Sequence, residues 1–397
     1  MEAGTMWYRI LLLVLGMGWG HACLSQRPIT AGRVEVIHSR ILDEARTCQI
    51  SLPSSYAWAP DRRYPVLYLL DGEANFLHTA GSVGFLSSTG EIPELIIVAI
   101  TSTVRIRDFT QTDWSSHWIG GGGASHFKSF LSRELIPDIE KKYRSNGFRI
   151  LFGHSAAGQF VLYTMTAEPS LFNAYAALSP SLDWDDNLPQ RSLAESFAQT
   201  DSLKAFLYFA WSDDSGQALA ADQGLLETLK SRSPGGFRWA AKAFPDETHM
   251  SMPLLAQIDA LRQLFCGYRF HDDLLDKGFA FAEQHFQMVS QTVGYAIPVP
   301  EEIINNFGYN ELDKGHFQEA IAFFRRNVQQ NPNSANAFDG LADGYEKAGM
   351  WHEAIAASAK AVELAKKYHA PDPDYYSAHA KKIRARSKAN ADMQIKP

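Results

Sequence analysis

Between Gly32 and Gly267 two kinds of apolar pattern alternate along the chain. The first is a set of short unbroken runs: YPVLYLLDGE (64–73), LIIVAI (95–100), FRILFGHS (148–155), AYAALSPS (174–181), AFLYFAW (205–211) and FRWAAKAF (237–244). Each is apolar, β-branched or aromatic and is bounded by Gly, Pro, Asp or Ser. Strands covered on both faces read this way, so the runs predict a mainly parallel sheet. The second kind has helical spacing. SHFKSFLSRELIPDIEKKY places Phe127, Phe130, Leu131, Leu135, Ile139 and Tyr143 on one face, with Ser125 as N-cap. Pro137 is expected to kink that helix, because it has no N–H to donate. The alternation predicts a doubly wound α/β domain.

Past Gly267 the strand signal stops and the pattern is helical throughout. A 34-residue offset aligns Gly315 with Gly349, Ala320 with Ala354, Ile321 with Ile355 and Phe307 with Leu341. That period, with small residues at the helix crossings and Pro332 closing the first unit, resembles tetratricopeptide repeats over 301–334 and 335–368. Two such units bury their own faces poorly, so they are expected to lean on the helices of 271–292 and 373–389, with packing against the α/β domain or a second subunit as their expected use. A groove for a protein partner is the other use open to them. The expected layout is a signal peptide over 1–22, an α/β domain over 23–268, a helical linker over 269–300, the repeats over 301–368, and a capping helix with a basic tail over 369–397.

The first segment rests on MEAGTMWYRILLLVLGMGWGHAC, where one cation, Arg9, precedes an apolar stretch that runs to Trp19. The stretch is too short to cross a bilayer core of about 30 Å, and it ends in the small residues of Gly20-His21-Ala22. This is the form of a secretory signal, predicting a periplasmic or secreted protein with no transmembrane span in the mature chain. A lipid anchor at Cys23 ranks below simple cleavage, because Gly20 stands where such a signal carries an aliphatic residue.

With 46% apolar and 20% charged residues the chain has the composition of a packed globular protein, and a net charge of −7 disfavours nucleic acid as a partner. The run Lys381 to Lys388 reads as a solvated helix face. Cys48 and Cys266 are a disulfide or two free thiols. No C-x-x-C or H-x-x-x-H spacing supports a metal, and no Lys-Ser or Lys-Thr follows Gly120–Gly123 to make a phosphate loop, so neither a metal nor a cofactor is expected.

The chemistry concentrates at GHSAAG. Ser155 stands at a strand-to-helix junction among small residues, the setting of a nucleophile elbow, although Ala157 occupies the second glycine position and Gly158 follows it. A serine hydroxyl needs a base, which in this architecture follows the last strand, with an acid after the strand before it. His249 and the pair Asp213-Asp214 stand in those places. Asp214 is the preferred acid, since one of the two could cap the helix that follows. His154 is expected to pack beneath the elbow. The N–H groups of Ala156 and Glu73 are the candidate oxyanion donors. Arg105, Arg107 and Asp108 follow a strand end on the same side, where Arg107 and Asp108 are candidates to grip a polar or anionic substrate or to pair with each other.

YPVLYLLDGEANF, RIRDFTQT, GGGASHFKSFLSRELIPDIEKKY, FGHSAAGQF, SPSLDWDD and ETHMSMP, in this order, resemble the esterase family of α/β-hydrolases that includes siderophore esterases and relatives of S-formylglutathione hydrolase. The resemblance covers Arg33 to Tyr268, and GYAIPVPEEIINNFGY resembles the bridge of a secreted bacterial subgroup with appended repeats. It implies an α/β-hydrolase fold with Ser155 as nucleophile, His249 as base and Asp214 in the acid position, although some siderophore-cleaving members work with little or no acid. The expected activity is hydrolysis of a small-molecule carboxylic ester through an acyl-enzyme. A siderophore trilactone is the alternative substrate, and a non-catalytic scaffold that recruits a partner through the repeats is the alternative role. Family members carry Trp where Asp183 stands and Asn near Thr103, so substrate preference does not carry over.

Overall fold

A computed structural model describes residues 29–117, 120–370 and 372–395, and Ala31 onward folds as one unit. The expected signal peptide and Cys23 lie outside the described residues. Eight strands form one sheet: β1 (Arg33–Ser39), β2 (Glu44–Ser51), β3 (Tyr64–Leu69), β4 (Ile96–Ile100), β5 (Ser145–His154), β6 (Ala174–Leu178), β7 (Phe206–Trp211) and β8 (Arg238–Ala243). Their spatial order is β1-β2-β4-β3-β5-β6-β7-β8. From β4 to β8 every pairing is parallel, while β1 and β2 are antiparallel additions at one edge. This is the sheet of an α/β-hydrolase fold.

The unbroken apolar runs become strands because both faces of the sheet are covered. Every residue of β3, β4 and β6 is buried. One face packs under the helices Ala124–Phe130, Ala156–Ala167 and Gly216–Arg232, with Phe127, Phe160 and Leu225 in the core. The other packs under Gly72–Ser88 and Met252–Leu264, joined by Phe279–Val293 and by Phe307 of the next helix. The C-terminal helices therefore lean on the sheet domain. Strands β1 and β2 were not among the runs read from the sequence. Their alternation, RVEVIHS against EARTCQIS, belongs to an antiparallel edge with one wet face.

The helix around Pro137 is continuous but irregular: Ala124–Phe130 passes through a π turn at Leu131–Leu135, just ahead of the proline, into Ile136–Lys142. Its start differs from expectation, with Gly123 rather than Ser125 at the N-cap. The Gly123 N–H donates to the Arg107 carbonyl (2.8 Å) and the Ala124 N–H to that of Thr110 (3.1 Å), which fixes the entry two residues early.

The C-terminal region is all helical. Helices Glu301–Asp313 and Phe317–Gln330 are followed at the same 34-residue offset by Ala335–Lys347 and Trp351–Lys367. The buried Phe324 packs where β-carbons on Gly308, Gly340 or Gly344 would collide with its ring. A last helix, Pro373–Ile395, docks through Ile383 and through His379, held between Asp339 (2.7 Å) and Asp343 (3.2 Å). Cys48 is buried, Cys266 is exposed, and both are free thiols. Among the described residues no helix is long and apolar enough to cross a membrane.

Candidate active site

Ser155 follows the last residue of β5 and caps the helix Ala156–Ala167 with φ 61° and ψ −123°, a conformation rare for any residue with a β-carbon. The turn is held by hydrogen bonds on both sides. The Ser155 N–H donates to the Leu178 carbonyl (2.9 Å), and its own carbonyl accepts from Gln159 (3.0 Å) and Ser181 (3.2 Å). Small residues are needed at two places. A β-carbon on Gly153 would lie 2.4 Å from the Ala157 oxygen, and one on Gly158 would lie 3.1 Å from the Leu178 oxygen. Ala157, fully buried, fits between them, so the second close approach falls on Gly158.

Two backbone donors stand free at this end of the sheet. Among the described residues, no acceptor meets the N–H of Ala156 or of Glu73. Asp71, left-handed at φ 51°, turns the chain after β3, and its carbonyl takes the N–H groups of Ala74 and Asn75 (both 3.1 Å), leaving that of Glu73 unused. The Glu73 carboxylate turns aside to accept from the Ser102 N–H (3.0 Å).

His249 lies half-buried in the turn after β8. To come near β5 the chain must cross three inter-strand gaps of about 4.8 Å, about 14 Å in all, and the six residues from Phe244 to His249 span up to about 20 Å. The crossing is tied down midway, where the Asp213 N–H at the β7 exit donates to the Glu247 carbonyl (3.0 Å). The His249 ring ends 4.5 Å, centroid to centroid, from the ring of His154, the residue before Ser155. His154 is buried, its Nε2 has no hydrogen-bond partner, and burial, with the charges of His249 and Arg105, pushes its pKa down to about 4. The His154 carbonyl accepts from Arg105 Nη2 (2.9 Å), and Arg105 Nε bonds both carboxylate oxygens of Asp71 (3.0 Å each).

The structure brings Ser155, His249, Ala156 and Glu73 to the same end of the sheet, and it occupies the other expected residues elsewhere. The Asp214 carboxylate accepts from the Ser212 N–H (3.3 Å), Ser212 Oγ (3.2 Å) and Ser179 Oγ (3.4 Å). Asp213 is exposed, and Ser215, not either aspartate, caps the next helix. Among the described residues no carboxylate forms an ion pair with His249. Of the two uses expected of Arg107 and Asp108, substrate contact or a mutual pair, the structure shows the pair, extended into a charge network. Asp108 is 1% exposed and its oxygens are taken by Arg46, also 1% exposed, and by Arg107 (2.8 Å), while Glu44 binds both arginines.

Three features went unread in the sequence. Asp222, buried on the helix after β7, is pushed up to about 8 by burial and then by the charges of Asp214 and Asp183. Trp114 and Trp184 pack at 4.8 Å, with Trp184 Nε1 donating to Thr112 Oγ1 (3.0 Å). A cavity of about 1120 Å³, lined by Tyr64, Leu95, Tyr268, Tyr295 and Glu302, opens where β3 and β4 begin, the end of the sheet opposite Ser155.

A family model described as putative esterase matches residues 39–242. The ferri-bacillibactin esterase of Bacillus subtilis is 33% identical over 177 residues, 40% of this chain and 61% of the relative. The siderophore enterobactin esterase of Emericella nidulans is 32% identical over 142 residues, 30% of this chain and 47% of the relative. The chain thus spans less than two thirds of the length of either. Among solved structures, an IroE-like serine hydrolase from Shewanella oneidensis superimposes with a TM-score of 0.66 at 28% identity, covering 75% of this chain and 99% of that one.

Proposed function

The chain belongs to the putative esterase family, and from that membership we propose that it is a serine esterase that hydrolyses the carboxylic ester bonds of siderophore-type substrates through an acyl-enzyme. Ser155 Oγ attacks the ester carbonyl and His249 takes the hydroxyl proton. As the carbon–oxygen bond to the alcohol breaks, His249 gives that proton to the departing oxygen. Water then repeats the sequence, with His249 as base, and frees the acid. The N–H groups of Ala156 and Glu73 receive the oxyanion, each worth about a hundredfold or more in kcat. Asp214 stands beside this machinery with its Oδ2 bonded to Ser212 and Ser179.

The observation that carries the reading is Ser155 itself, held left-handed at the strand-to-helix turn with the next N–H unused. The siderophore class rests on the names of the two curated relatives, and the serine nucleophile is supported by the name of the Shewanella structure. Fluorophosphonate labelling mapped to Ser155, together with turnover of p-nitrophenyl acetate and of apo and ferric trilactones, tests it. Ser155→Ala is expected to abolish both labelling and turnover; wild-type rates in that variant would refute the mechanism.

The sequence pattern supports the division at 23–268, 269–300, 301–368 and 369–397, with tetratricopeptide-like repeats over 301–368 and a cleaved export signal over 1–22. The protein is then periplasmic or secreted. N-terminal sequencing of the envelope fraction checks this, and a chain still beginning at Met1 would contradict it.

A further inference from the structure

We propose that His154 is the positioning residue for His249, filling the orienting role that a carboxylate fills in a Ser-His-Asp triad. The inference rests on the reading of Ser155 and His249 as nucleophile and base. In such a triad the acid fixes the tautomer and rotation of the imidazole and steadies the imidazolium that forms during acyl transfer. Here no carboxylate among the described residues pairs with His249, and the expected acid, Asp214, is bonded to Ser179 and Ser212. What meets His249 is the His154 ring, tilted at 43° with centroids 4.5 Å apart.

His154 is built to be immobile. It closes β5, in register with Leu178 of β6, and its side chain is only 9% exposed. Its carbonyl is gripped by Arg105, Arg105 by both oxygens of Asp71, and Asp71 by Ser102 Oγ (2.7 Å). The same Asp71 shapes the turn that presents the Glu73 N–H, so one network ties the oxyanion loop, the elbow and the seat of the base together. The His154 ring also faces the His249 backbone carbonyl. Its Nε2 is buried with no hydrogen-bond partner, and in the neutral ring it can serve as a lone-pair acceptor. A buried acceptor without a donor is costly to maintain. Beside His249 it gives the transient imidazolium a fixed neutral acceptor within one ring's width. Burial first, then the charges of His249 and Arg105, outweigh the opposing Asp71 carboxylate and the His249 carbonyl and keep the His154 ring unprotonated above about pH 4, so it does not compete for the proton in transit.

The test compares His154→Phe, His154→Asn and Asp214→Asn with the full wild-type chain in steady-state hydrolysis of p-nitrophenyl acetate, with urea midpoints measured alongside. Phe keeps the ring and its packing but removes both nitrogens. It is expected to lower kcat about 10–100-fold with KM within about twofold, because orientation of the base acts on the chemical step. Asn restores a donor near the Nδ1 position and is expected to recover activity to within about fivefold of wild type. Asp214→Asn is expected to change kcat less than about threefold, where loss of a true triad acid costs about 10⁴. A His154→Phe enzyme within threefold of wild-type kcat overturns the proposal. So does a loss of a hundredfold or more in Asp214→Asn, an arm that needs no substitution at 154 and so survives poor folding of the Phe variant. Turnover retained by Ser155→Ala would instead overturn the hydrolase reading, so the two failures are told apart.

Discussion

Gly72 opens the helix Gly72–Ser88 immediately before the Glu73 N–H, and replacing it with alanine perturbs stability and chemistry together. A β-carbon there would lie 2.8 Å from the Ala99 carbonyl carbon, 3.0 Å from its oxygen and 3.0 Å from the Ile100 nitrogen. All three are backbone atoms of the buried strand β4, which pairs on both sides and has no freedom to yield. Against the usual carbon–carbon separation of about 3.5 Å the helix start must retreat by about 0.7 Å. Overpacking of this kind costs about 1–3 kcal/mol. The same retreat carries the Glu73 N–H away from an oxyanion formed at Ser155, and losing one such donor costs about a hundredfold in kcat. Gly81 in the same helix is the internal control, because a β-carbon there meets nothing within 4 Å. Gly81→Ala is expected to stabilise by about 0.4–1 kcal/mol through the unfolded chain and the helix propensity of alanine. Urea unfolding and p-nitrophenyl acetate hydrolysis read both effects. Gly72→Ala should lose stability and about a hundredfold in kcat, while Gly81→Ala gains stability at unchanged kcat. A Gly72→Ala protein as stable as wild type would refute the packing argument; a destabilised one with full kcat would remove Glu73 from the oxyanion hole.

Asp108→Asn leaves the buried Arg46 with Glu44 as its remaining carboxylate partner and is expected to cost about 1–3 kcal/mol in urea unfolding, with KM of the folded enzyme unchanged because the residue is a brace; a raised KM at full stability would restore it to the substrate site. The pKa of His379 is raised to about 10 by the Asp339 and then the Asp343 carboxylates, so its clamp stabilises fully below the ordinary value of about 6.5 and is lost as pH rises toward 10. The stability difference between wild type and His379→Gln is therefore expected to be about 2 kcal/mol near pH 6 and to vanish by about pH 10.5; urea midpoints across that range check it, and a difference that grows with pH would contradict the charged clamp.

How much of this was visible in the residues depends on which forces left a local trace. Strands β3 to β7 were legible because two-sided burial writes an unbroken apolar run, β8, a partly exposed edge strand, because Phe237 and Phe244 flank its apolar residues, and the helical region because a 34-residue offset repeats its small residues. Strands β1 and β2 were not, since an edge pair with one wet face mixes polar and apolar positions much as a loop does. The cap at Gly123 was invisible for a different reason: it is set by the Arg107 and Thr110 carbonyls, contacts made by the loop and not by the helix. Ser155 left a local trace in its small neighbours. His249 left only its order in the chain, which the short crossing from β8 converts into proximity.

Arg105, Arg107 and Asp108 show where chain order stops being informative. All three follow β4 on the side of the sheet where Ser155 emerges, but they belong to a single short helix, Arg105–Phe109. At about 100° per residue, neighbours two apart on such a helix face nearly opposite ways. Arg105 therefore reaches Asp71 and the elbow, while Arg107 reaches back to Glu44. The same limit applies to the acid. Position after β7 puts Asp214 at the correct strand end, where its Oδ2 accepts from two serines, one in its own turn and one after β6. The ring that meets the base belongs to the residue beside the nucleophile, which strand alternation alone would send to the opposite face from Ser155. The left-handed turn at Ser155 breaks the alternation at that residue, and the His154 and His249 rings meet at the same end of the sheet. If that is the source of the base's orientation, strain at Ser155 and activity are coupled: a substitution that relaxes the elbow without touching Ser155, such as Ser181→Pro, which deletes the N–H bonded to the Ser155 carbonyl at 3.2 Å, should lower kcat while leaving KM in place.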